Sequence, residues 1–283
     1  YKYRVVLQGS DVREGNGDQA FFADTSSAPT NMACIRSVIS YGQLTGGDIS
    51  QADAEQAYFQ PLLEDEIHML IVVPPDMQTE EMKIAFSKIS GTPVFRLRRS
   101  LYGWSRSGNI WEHHLADTLK QIKPDGKNGK DNWKAVPDWP QTFWKICSKG
   151  KRIILTVYVD DFVLAGPGSS NEWDSIRKVI RTTEPEPVKR ILGVHHAFNK
   201  RGDTITTEID MVDYVRQSVD LYNEIDKDKK FPITENVHYP WYEPSMEEIK
   251  NLTTKPGIFG PERASLLMKA LYCARMVRLD CCY

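Results

Sequence analysis

Apolar residues in the first half of the chain follow two different periods, and each period predicts a different kind of element. A run of β-branched and apolar residues predicts a strand at 2–8. From Asn31 to Tyr41 the apolar residues recur at helical spacing, which predicts a helix with Asn31 as its N-cap and Gly42 as its stop. The same two patterns predict three further strands and one further helix, at 49–53, 67–73, 94–102 and 107–122.

The clearest pattern is a pair of apolar, β-rich runs at 153–159 and 162–165, which flank Asp160 and Asp161. Two such runs joined at an acidic pair predict a buried β-hairpin. The polar stretch before them, at 123–142, contains Gly and three Pro and predicts a surface loop. Helical spacing of apolar residues predicts three helices after the hairpin, at 173–180, 211–223 and 262–277.

The chain becomes more polar after Gly193, and no internal repeat is evident. This shift predicts two regions, 1–198 and 199–283. The length of 283 residues also fits about two domains.

Composition narrows the class of protein but not its function. With 41% apolar and 26% charged residues the chain resembles soluble globular proteins, which excludes collagen-like, mucin-like and wholly disordered chains. No apolar run is long enough for a transmembrane helix, and no signal peptide is visible. A net charge of −2 argues against a strongly basic nucleic-acid binder. Five scattered cysteines without C-x-x-C spacing predict a reduced, intracellular chain without structural zinc, and both ends are expected to be cut from a longer chain.

Asp160 and Asp161 are the first candidates for chemistry, because adjacent carboxylates on apolar strands repel each other and resist burial. A divalent cation compensates such charge, and hard oxygen ligands suit Mg²⁺. The alternative is an exposed hairpin turn, in which Asp is common. Asp53 adds a third carboxylate at the end of the strand predicted at 49–53, although alone it would be an ordinary strand-end residue. Together the three form the set that clamps two metal ions.

Two of these segments resemble a known family. Tyr158-Val-Asp-Asp161 resembles the signature of reverse transcriptases, and Asp53-Ala-Glu-Gln-Ala-Tyr58-Phe59 is similar to the first-aspartate motif of the same enzymes. Six further segments resemble, in order, motifs of the copia-type LTR-retrotransposon branch: 2–9, 28–36, 66–75, 96–111, 192–194 and 272–280. The eight segments cover nearly the whole chain, and their shared order makes the resemblance specific.

The sequence departs from the family pattern at several positions. Gly108 follows Ser107 where Pro is usual, and Trp104 replaces the usual Leu. The last motif is the weakest match, with Leu279 where Pro is expected. None of these departures removes a predicted metal ligand.

The resemblance implies a two-metal polymerase site. Asp53, Asp160 and Asp161 would hold two Mg²⁺ ions, or Mn²⁺ in their place, and Asp161 is the least direct ligand of the three. Tyr58 would lie beneath the incoming sugar and exclude a 2′-hydroxyl; a buried core tyrosine is the alternative.

Other implied roles concern the nucleotide and the primer. Tyr102 and Gly103 would line the nucleotide pocket. Lys2 and Arg4 would approach the triphosphate, unless they lie on a solvated strand face. Leu192-Gly193 would grip the primer end, and an ordinary turn is the alternative.

The family also implies a fold and partners. The fold would be the right-hand polymerase type, an α+β layout with an antiparallel palm sheet backed by helices. Fingers and palm would occupy 1–198, with the palm core at about 30–60 and 103–198, and a truncated thumb or connection region would occupy 199–283. The partners would be an RNA template, a DNA primer and dNTPs, with no membrane. Integrase and RNase H segments of the polyprotein would lie outside this chain, and the protein would act inside the cell, in a cytoplasmic virus-like particle or in the nucleus.

Basic residues occur in two groups that could neutralise phosphates, although a solvated surface explains them as well. The first group is Arg96, Arg98, Arg99 and Arg106, and the second is Lys145, Lys149, Lys151 and Arg152. The histidine pairs at 113–114 and 195–196 are assigned no role, because adjacent residues point apart. The tryptophans at 133, 139 and 144 are predicted to pack in the loop.

Three other functions stay open at this point. The chain could be an inactive retroelement fragment that at most binds nucleic acid. It could be another palm-type nucleotidyl transferase, or a metal-dependent phosphohydrolase that uses the Asp160–Asp161 pair.

Overall fold

The structure is a computed structural model that describes residues 5–22, 25–64, 67, 69–123, 132–202, 204–228, 233, 245–254 and 262–278, with the backbone alone for 252–254. It is a mixed α and β protein in which every described strand pairing is antiparallel. The chain forms two compact units, 1–188 and 189–283.

The first unit is built on a six-stranded sheet in the order β4-β5-β6-β7-β1-β8. Its strands are β1 (Asp48–Asp53), β4 (Lys134–Ala135), β5 (Thr142–Ile146), β6 (Arg152–Tyr158), β7 (Asp161–Gly166) and β8 (Glu186–Pro187). A separate two-stranded ribbon pairs β2 (Leu70–Ile71) with β3 (Phe95–Arg96). The helices of this unit are α1 (Met32–Leu44), α2 (Glu80–Phe86), α3 (Ser107–Gln121) and α4 (Trp173–Arg177).

Strand β7 lies in the middle of the core and is covered on both faces, which explains why residues 162–166 are all buried. Phe162 and Leu164 belong to the apolar cluster that also contains Trp111 and Leu115 of α3. Ala165 points to the other face, where α1 packs against the strand. The continuous apolar run in the sequence therefore reflects a strand between two helical layers.

The second unit contains a three-stranded sheet in the order β11-β10-β9. Its elements are β9 (Arg190–Ile191), β10 (Val194–Arg201), β11 (Thr204–Asp210), α5 (Val212–Ile225), α6 (Met246–Thr254) and α7 (Glu262–Met276). Helix α5 packs against α7, and the rings of Tyr214 and Tyr272 meet between them at 5.4 Å. No helix in the described part of the chain has the length and apolar character needed to cross a membrane.

Most of the predicted elements are present. The helices predicted at 107–122, 211–223 and 262–277 correspond to α3, α5 and α7, and the predicted hairpin corresponds to β6 and β7. Asn31 caps α1 as predicted, because its side chain accepts a hydrogen bond from the Cys34 backbone N–H at 2.9 Å.

Gly42 was predicted to end the first helix, and this is wrong because α1 continues to Leu44. A Cβ atom on Gly42 would lie 2.5 Å from Ile49 Cγ1 and 3.0 Å from Ala165 Cβ. The glycine therefore lets the helix approach the sheet closely, and its conformational freedom is not used.

Other predicted elements differ in extent. Residues 5–8 are not a strand, although Leu7 N donates to Tyr102 O at 2.7 Å. The strands predicted at 67–73 and 94–102 shorten to the two-residue strands β2 and β3. The predicted loop at 123–142 contains β4, which pairs with β5. The hairpin of β10 and β11 was missed, because its residues are mostly exposed and lack an apolar period.

The two compact units divide between residues 188 and 189, ten positions before the boundary predicted from polarity at 198/199. Strand β10 spans 198/199, and its ladder with β11 keeps both sides of that position in one unit. The assignment of these regions to fingers, palm and thumb stays a prediction.

Candidate active site

The turn between β6 and β7 carries the acidic pair. Tyr158 pairs with Asp161, so Val159 and Asp160 are the two central residues of the turn. Val159 has a φ of 57°, whereas Asp160 does not have a positive φ. A positive φ at the first central residue alone is the pattern of a type II′ turn. The turn leaves Asp160 exposed and places the partly buried Asp161 as the first residue of β7.

Asp53 reaches the same place from the neighbouring strand. It is the last residue of β1 and pairs directly with Asp161 of β7. Their side chains interact across this strand pairing. Burial, together with the charges of Asp160 and Asp53, raises the pKa of Asp161 from 3.8 to about 6. The fold thus places the three aspartates at the same end of the neighbouring strands β1 and β7, with Asp53 and Asp161 directly paired.

Backbone hydrogen bonds hold both strand ends in this arrangement. Ala54 N donates to Asp160 O at 2.7 Å and so joins the end of β1 to the turn. Asp53 N donates to Thr183 Oγ1 at 2.9 Å, and Thr183 N donates back to Asp53 O at 2.9 Å. The end of β1 is therefore hydrogen-bonded to the acidic turn on one side and to Thr183 on the other.

The donor set fits a divalent cation by its chemistry, because carboxylate oxygens are the ligands that Mg²⁺ prefers. Burial first, and then the negative charges of Asp160 and Asp53, raise the pKa of Asp161, and a bound cation would compensate the charge of the ionised carboxylate. Within the described residues, however, no three His, Cys, Asp or Glu side chains are already arranged as a metal-ligand group.

Tyr58 lies beside the carboxylates in a small aromatic cluster. Its ring centroid is 4.9 Å from that of Tyr102, and the Phe59 ring is 5.7 Å from Tyr102. Ser100 Oγ donates to Tyr58 O at 2.5 Å. Burial and then the charge of Asp160 raise the pKa of the Tyr58 hydroxyl. Tyr58 is half-buried, so it packs on Tyr102 while keeping part of its surface open near Asp160.

Gly103 is a position in this region where only glycine fits. Its φ is +89°, and a Cβ atom there would lie 2.0 Å from Leu7 O. The segment around Leu7 therefore docks directly on Tyr102 and Gly103. Lys2 and Arg4, predicted to approach the triphosphate from this segment, lie outside the described residues.

Leu192 and Gly193 form the two-residue turn between β9 and β10 in the second unit. Both have positive φ, 49° and 78°, which is the pattern of a type I′ turn. Tyr272 Oη donates to Leu192 O at 2.7 Å. The predicted primer-grip residues thus occupy a tight hairpin turn, and their role stays a prediction.

Not every residue of the second basic group lies on a solvated surface. Lys145 is buried, and its Nζ lies 2.5 Å from Glu172 Oε2, with 4% and 3% of the two side chains exposed. It also lies 5.6 Å from the ring of Trp133, which was predicted to pack in the loop and instead belongs to the hydrophobic core. Arg152 stacks on the ring of Trp144 at 4.6 Å. Lys145 is therefore a core residue and cannot neutralise a phosphate.

Sequence reasoning missed two residues that support the carboxylates. Trp111 Nε1 donates to Val159 O at 2.7 Å, and Thr183 exchanges two hydrogen bonds with the Asp53 backbone. Trp111 is one of the apolar residues whose spacing predicts the helix at 107–122, and that spacing carries no sign of a polar contact. No pattern singled out Thr183.

A family model described as reverse transcriptase (RNA-dependent DNA polymerase) matches residues 1–233. The chain is 27% identical over 166 residues to the retrovirus-related Pol polyprotein from transposon TNT 1-94 of Nicotiana tabacum. The aligned stretch covers 59% of the chain and 11% of the polyprotein. It is 25% identical over 198 residues to the Pol polyprotein from transposon RE2 of Arabidopsis thaliana, covering 69% and 12%. A Ty5-1 transposon protein of Saccharomyces cerevisiae is 23% identical over 238 residues, covering 82% and 66%.

The aligned part of the chain spans about a tenth of the length of the two plant polyproteins. No solved structure matches the chain at a significant level.

Proposed function

The chain belongs to the reverse transcriptase family, in its copia-type retrotransposon branch, and we propose that it is an RNA-directed DNA polymerase. It would add dNTPs to the 3′-hydroxyl of a DNA primer annealed to an RNA template. The observation that carries the proposal is the contact between Asp53 and Asp161 across β1 and β7, with Asp160 in the adjoining turn. A polymerase needs such a carboxylate set where the primer end meets the triphosphate.

The three aspartates would hold two Mg²⁺ ions, or Mn²⁺ in their place. When bound, the ions supply activation of the attacking hydroxyl and stabilisation of the leaving pyrophosphate. Asp53 and Asp161 are held in place by the strand pairing, and Asp160 by the turn. Negative charge on all three is the state that binds cations, so Asp161 must lose its proton.

Tyr58 and Tyr102 would form the floor of the nucleotide pocket. The Tyr58 ring is fixed against Tyr102, and its backbone carbonyl is held by Ser100 Oγ. A rigid ring at this place would contact the 2′ side of the sugar and so disfavour ribonucleotides. Because Gly103 has no side chain, its loop can pack closely against the segment at Leu7. Lys2 and Arg4 would reach the triphosphate from that segment.

The larger architecture belongs to the same proposal. The first unit would supply the palm and part of the fingers of a right-hand polymerase, and the second unit would supply the thumb. Leu192-Gly193 would contact the primer end. Integrase and RNase H activities would reside in other segments of a polyprotein, and the enzyme would act inside the cell, in a virus-like particle or in the nucleus.

The test is Mg²⁺-dependent extension of a DNA primer on an RNA template by the purified chain. We expect extension by the wild type, and a loss of at least about 100-fold in Asp160→Asn, the scale reported for removing one electrostatic stabiliser of a transition state. Asp117→Asn is the matched control, because Asp117 is exposed on α3 and its carboxylate pairs with the surface residue Lys120. Undiminished extension by Asp160→Asn would refute the assignment of that residue.

The same assay separates the other functions. Binding of an RNA–DNA hybrid by a cooperatively folded wild type without extension would favour an inactive fragment. A preference for a DNA template would favour another palm-type polymerase, and hydrolysis of nucleotides without a primer would favour a phosphohydrolase. Each of these three outcomes contradicts the proposal.

A further inference from the structure

The hydrogen bond from Trp111 to the acidic turn links the core to the candidate site. Trp111 lies on α3 with 1% of its surface exposed, and its Nε1 donates to Val159 O at 2.7 Å. We propose that Trp111 is a positioning residue: its indole N–H fixes the turn that carries Asp160 and thereby the relative placement of the three aspartates. This inference rests on the proposed polymerase function for its kinetic part and stands independently for its structural part.

The turn needs an external support because its sequence does not favour its conformation. The first central position of a type II′ turn prefers glycine, but here it is Val159 with a φ of 57°. A β-branched residue in the left-handed region is a clear outlier. Such a conformation persists only where the surrounding structure over-determines it.

Donors from outside the hairpin occupy the carbonyls of both central residues. Trp111 Nε1 donates to Val159 O, and Ala54 N donates to Asp160 O at 2.7 Å. A bond to Val159 O fixes the plane of the peptide that joins Val159 to Asp160, and so fixes the direction of the Asp160 Cα–Cβ bond. The bond from Ala54 then holds the turn at the end of β1, one residue after Asp53.

Trp111 is itself rigidly held, as a positioning residue must be. Its ring belongs to the core cluster with Leu115 and Phe162. The start of α3 is fixed by Ser107 Oγ, which donates to Leu101 O at 2.7 Å, next to Tyr102. The same helix therefore anchors both the aromatic cluster of the nucleotide pocket and the acidic turn.

Trp111→Phe tests the inference, because it keeps an aromatic ring in the core and removes the N–H. The matched control is Trp173→Phe: Trp173 is 2% exposed, belongs to the same cluster, and donates to Ser50 Oγ at 2.8 Å instead of to the turn. We expect Trp111→Phe to lower the kcat of nucleotide addition by about 10- to 100-fold and to raise the Mg²⁺ concentration required, as removal of a hydrogen bond behind a metal ligand does. The KM for dNTP should stay within about threefold of that of Trp173→Phe, because the nucleotide pocket is intact.

A second readout does not depend on activity. Hydrogen exchange of the Ala54 amide, followed by NMR without metal, reports whether the turn still accepts that amide. We expect exchange to be at least about tenfold faster in Trp111→Phe than in the wild type and unchanged in Trp173→Phe.

The two readouts separate failure of this inference from failure of the polymerase function. If the wild type does not extend primers but the Ala54 amide exchanges faster in Trp111→Phe, the polymerase proposal fails and the positioning of the turn holds. If Trp111→Phe matches Trp173→Phe in kcat and in exchange, the positioning role is refuted whether or not the chain is a polymerase.

Val159→Gly provides a second background for the test if Trp111→Phe does not fold. Glycine adopts the positive φ without strain, so Val159→Gly relieves the turn while Trp111 still donates to its carbonyl. The double variant Trp111→Phe/Val159→Gly should then fold, and it should extend primers at least about tenfold more slowly than Val159→Gly alone. Equal rates in these two variants would overturn the inference.

Discussion

Asp53 and Asp161 pair directly where β1 runs beside β7, and their side chains interact there. The family resemblance makes Asp161 the least direct of the three metal ligands. In the structure, however, Asp161 is the residue that pairs with Asp53. Burial, and then the negative charges of Asp160 and Asp53, raise the pKa of Asp161 and so favour its protonated form. The metal-free site therefore holds this proton below a pH of about 6, and a bound cation would compete with it.

The first prediction concerns stability against pH without metal. The pKa of Asp161 is raised in the folded chain from 3.8 to about 6, so its protonated form is favoured by folding. Its stabilising contribution is full below about 3.8 and is lost as pH rises through about 6. Relative to Asp161→Asn, the wild type should lose on the order of 1 kcal/mol of unfolding free energy across this window, an amount discounted for partial exposure. Denaturant unfolding at several pH values measures this difference.

Divalent cation should reverse that loss at neutral pH. Millimolar Mg²⁺ should raise the Tm of the wild type above its metal-free value, because binding to the folded state alone stabilises it. Sodium chloride of equal ionic strength is the control for screening. An equal Mg²⁺ effect in wild type and in Asp161→Asn would contradict a cation site that includes Asp161.

The second prediction concerns sugar selectivity at Tyr58. Removing its ring in Tyr58→Ala opens space beside Asp160, so the ratio of kcat/KM for ribonucleotide to deoxyribonucleotide should rise by at least about tenfold. Tyr58→Phe keeps the ring and should leave the ratio unchanged. Phe59→Ala is the matched control, because Phe59 packs on the same Tyr102 ring at 5.7 Å. A similar rise in Phe59→Ala would show that loosening of the cluster, and not Tyr58 itself, sets the selectivity.

The third prediction concerns the support of Asp53 by Thr183. Thr183→Val keeps the side-chain shape and removes the hydroxyl that accepts the Asp53 amide at 2.9 Å. We expect a loss of about 1 kcal/mol in unfolding free energy. Primer extension should fall by about tenfold, because the strand end that carries Asp53 is less firmly held.

Thr45→Val is the control for this variant. Thr45 Oγ1 donates to Tyr41 O at 2.8 Å. Thr45 lies just before the first residue of β1, whereas Asp53 is the last residue of that strand. Its substitution should cost similar stability without slowing extension. If both variants slow extension equally, the effect of Thr183→Val reflects stability alone.

The fourth prediction concerns the buried pair of Lys145 and Glu172. Lys145→Met leaves the Glu172 carboxylate buried without its cation, which should cost about 3 to 5 kcal/mol. The double variant Lys145→Met/Glu172→Leu should recover most of this loss, because no charge is then buried alone. Lys120→Met, which breaks an exposed pair with Asp117, should change the unfolding free energy by less than about 1 kcal/mol.

Activity distinguishes this pair from a phosphate contact. Lys145 pairs with Ile153 at the start of β6, at the far end of the hairpin from Asp160. Extension per folded molecule should therefore be unchanged in the double variant. A selective loss of primer–template affinity there would show that Lys145 does meet nucleic acid.

Local patterns predicted the elements whose residues repeat a strong period. The apolar run around Asp160 gave the hairpin because β7 is buried on both faces, and the helical spacing around Trp111 gave α3 because one face of that helix lies in the core. Strands β10 and β11 were missed because their residues are mostly exposed, so burial leaves no period in the sequence. Gly42 was misjudged because glycine also serves close packing, and nothing local reveals the neighbouring Ile49.

The sequence by itself determined the family, and it predicted the three aspartates and the strand that ends at Asp53, because residue type and spacing along the chain encode these features directly. Tertiary structure alone decided that Asp53 faces Asp161, that the indole of Trp111 holds the turn at Val159, and that Lys145 is a core residue. The physical reason is that such contacts join segments far apart in sequence. Their register and burial follow from how the whole sheet and its helices pack, and no local period records them.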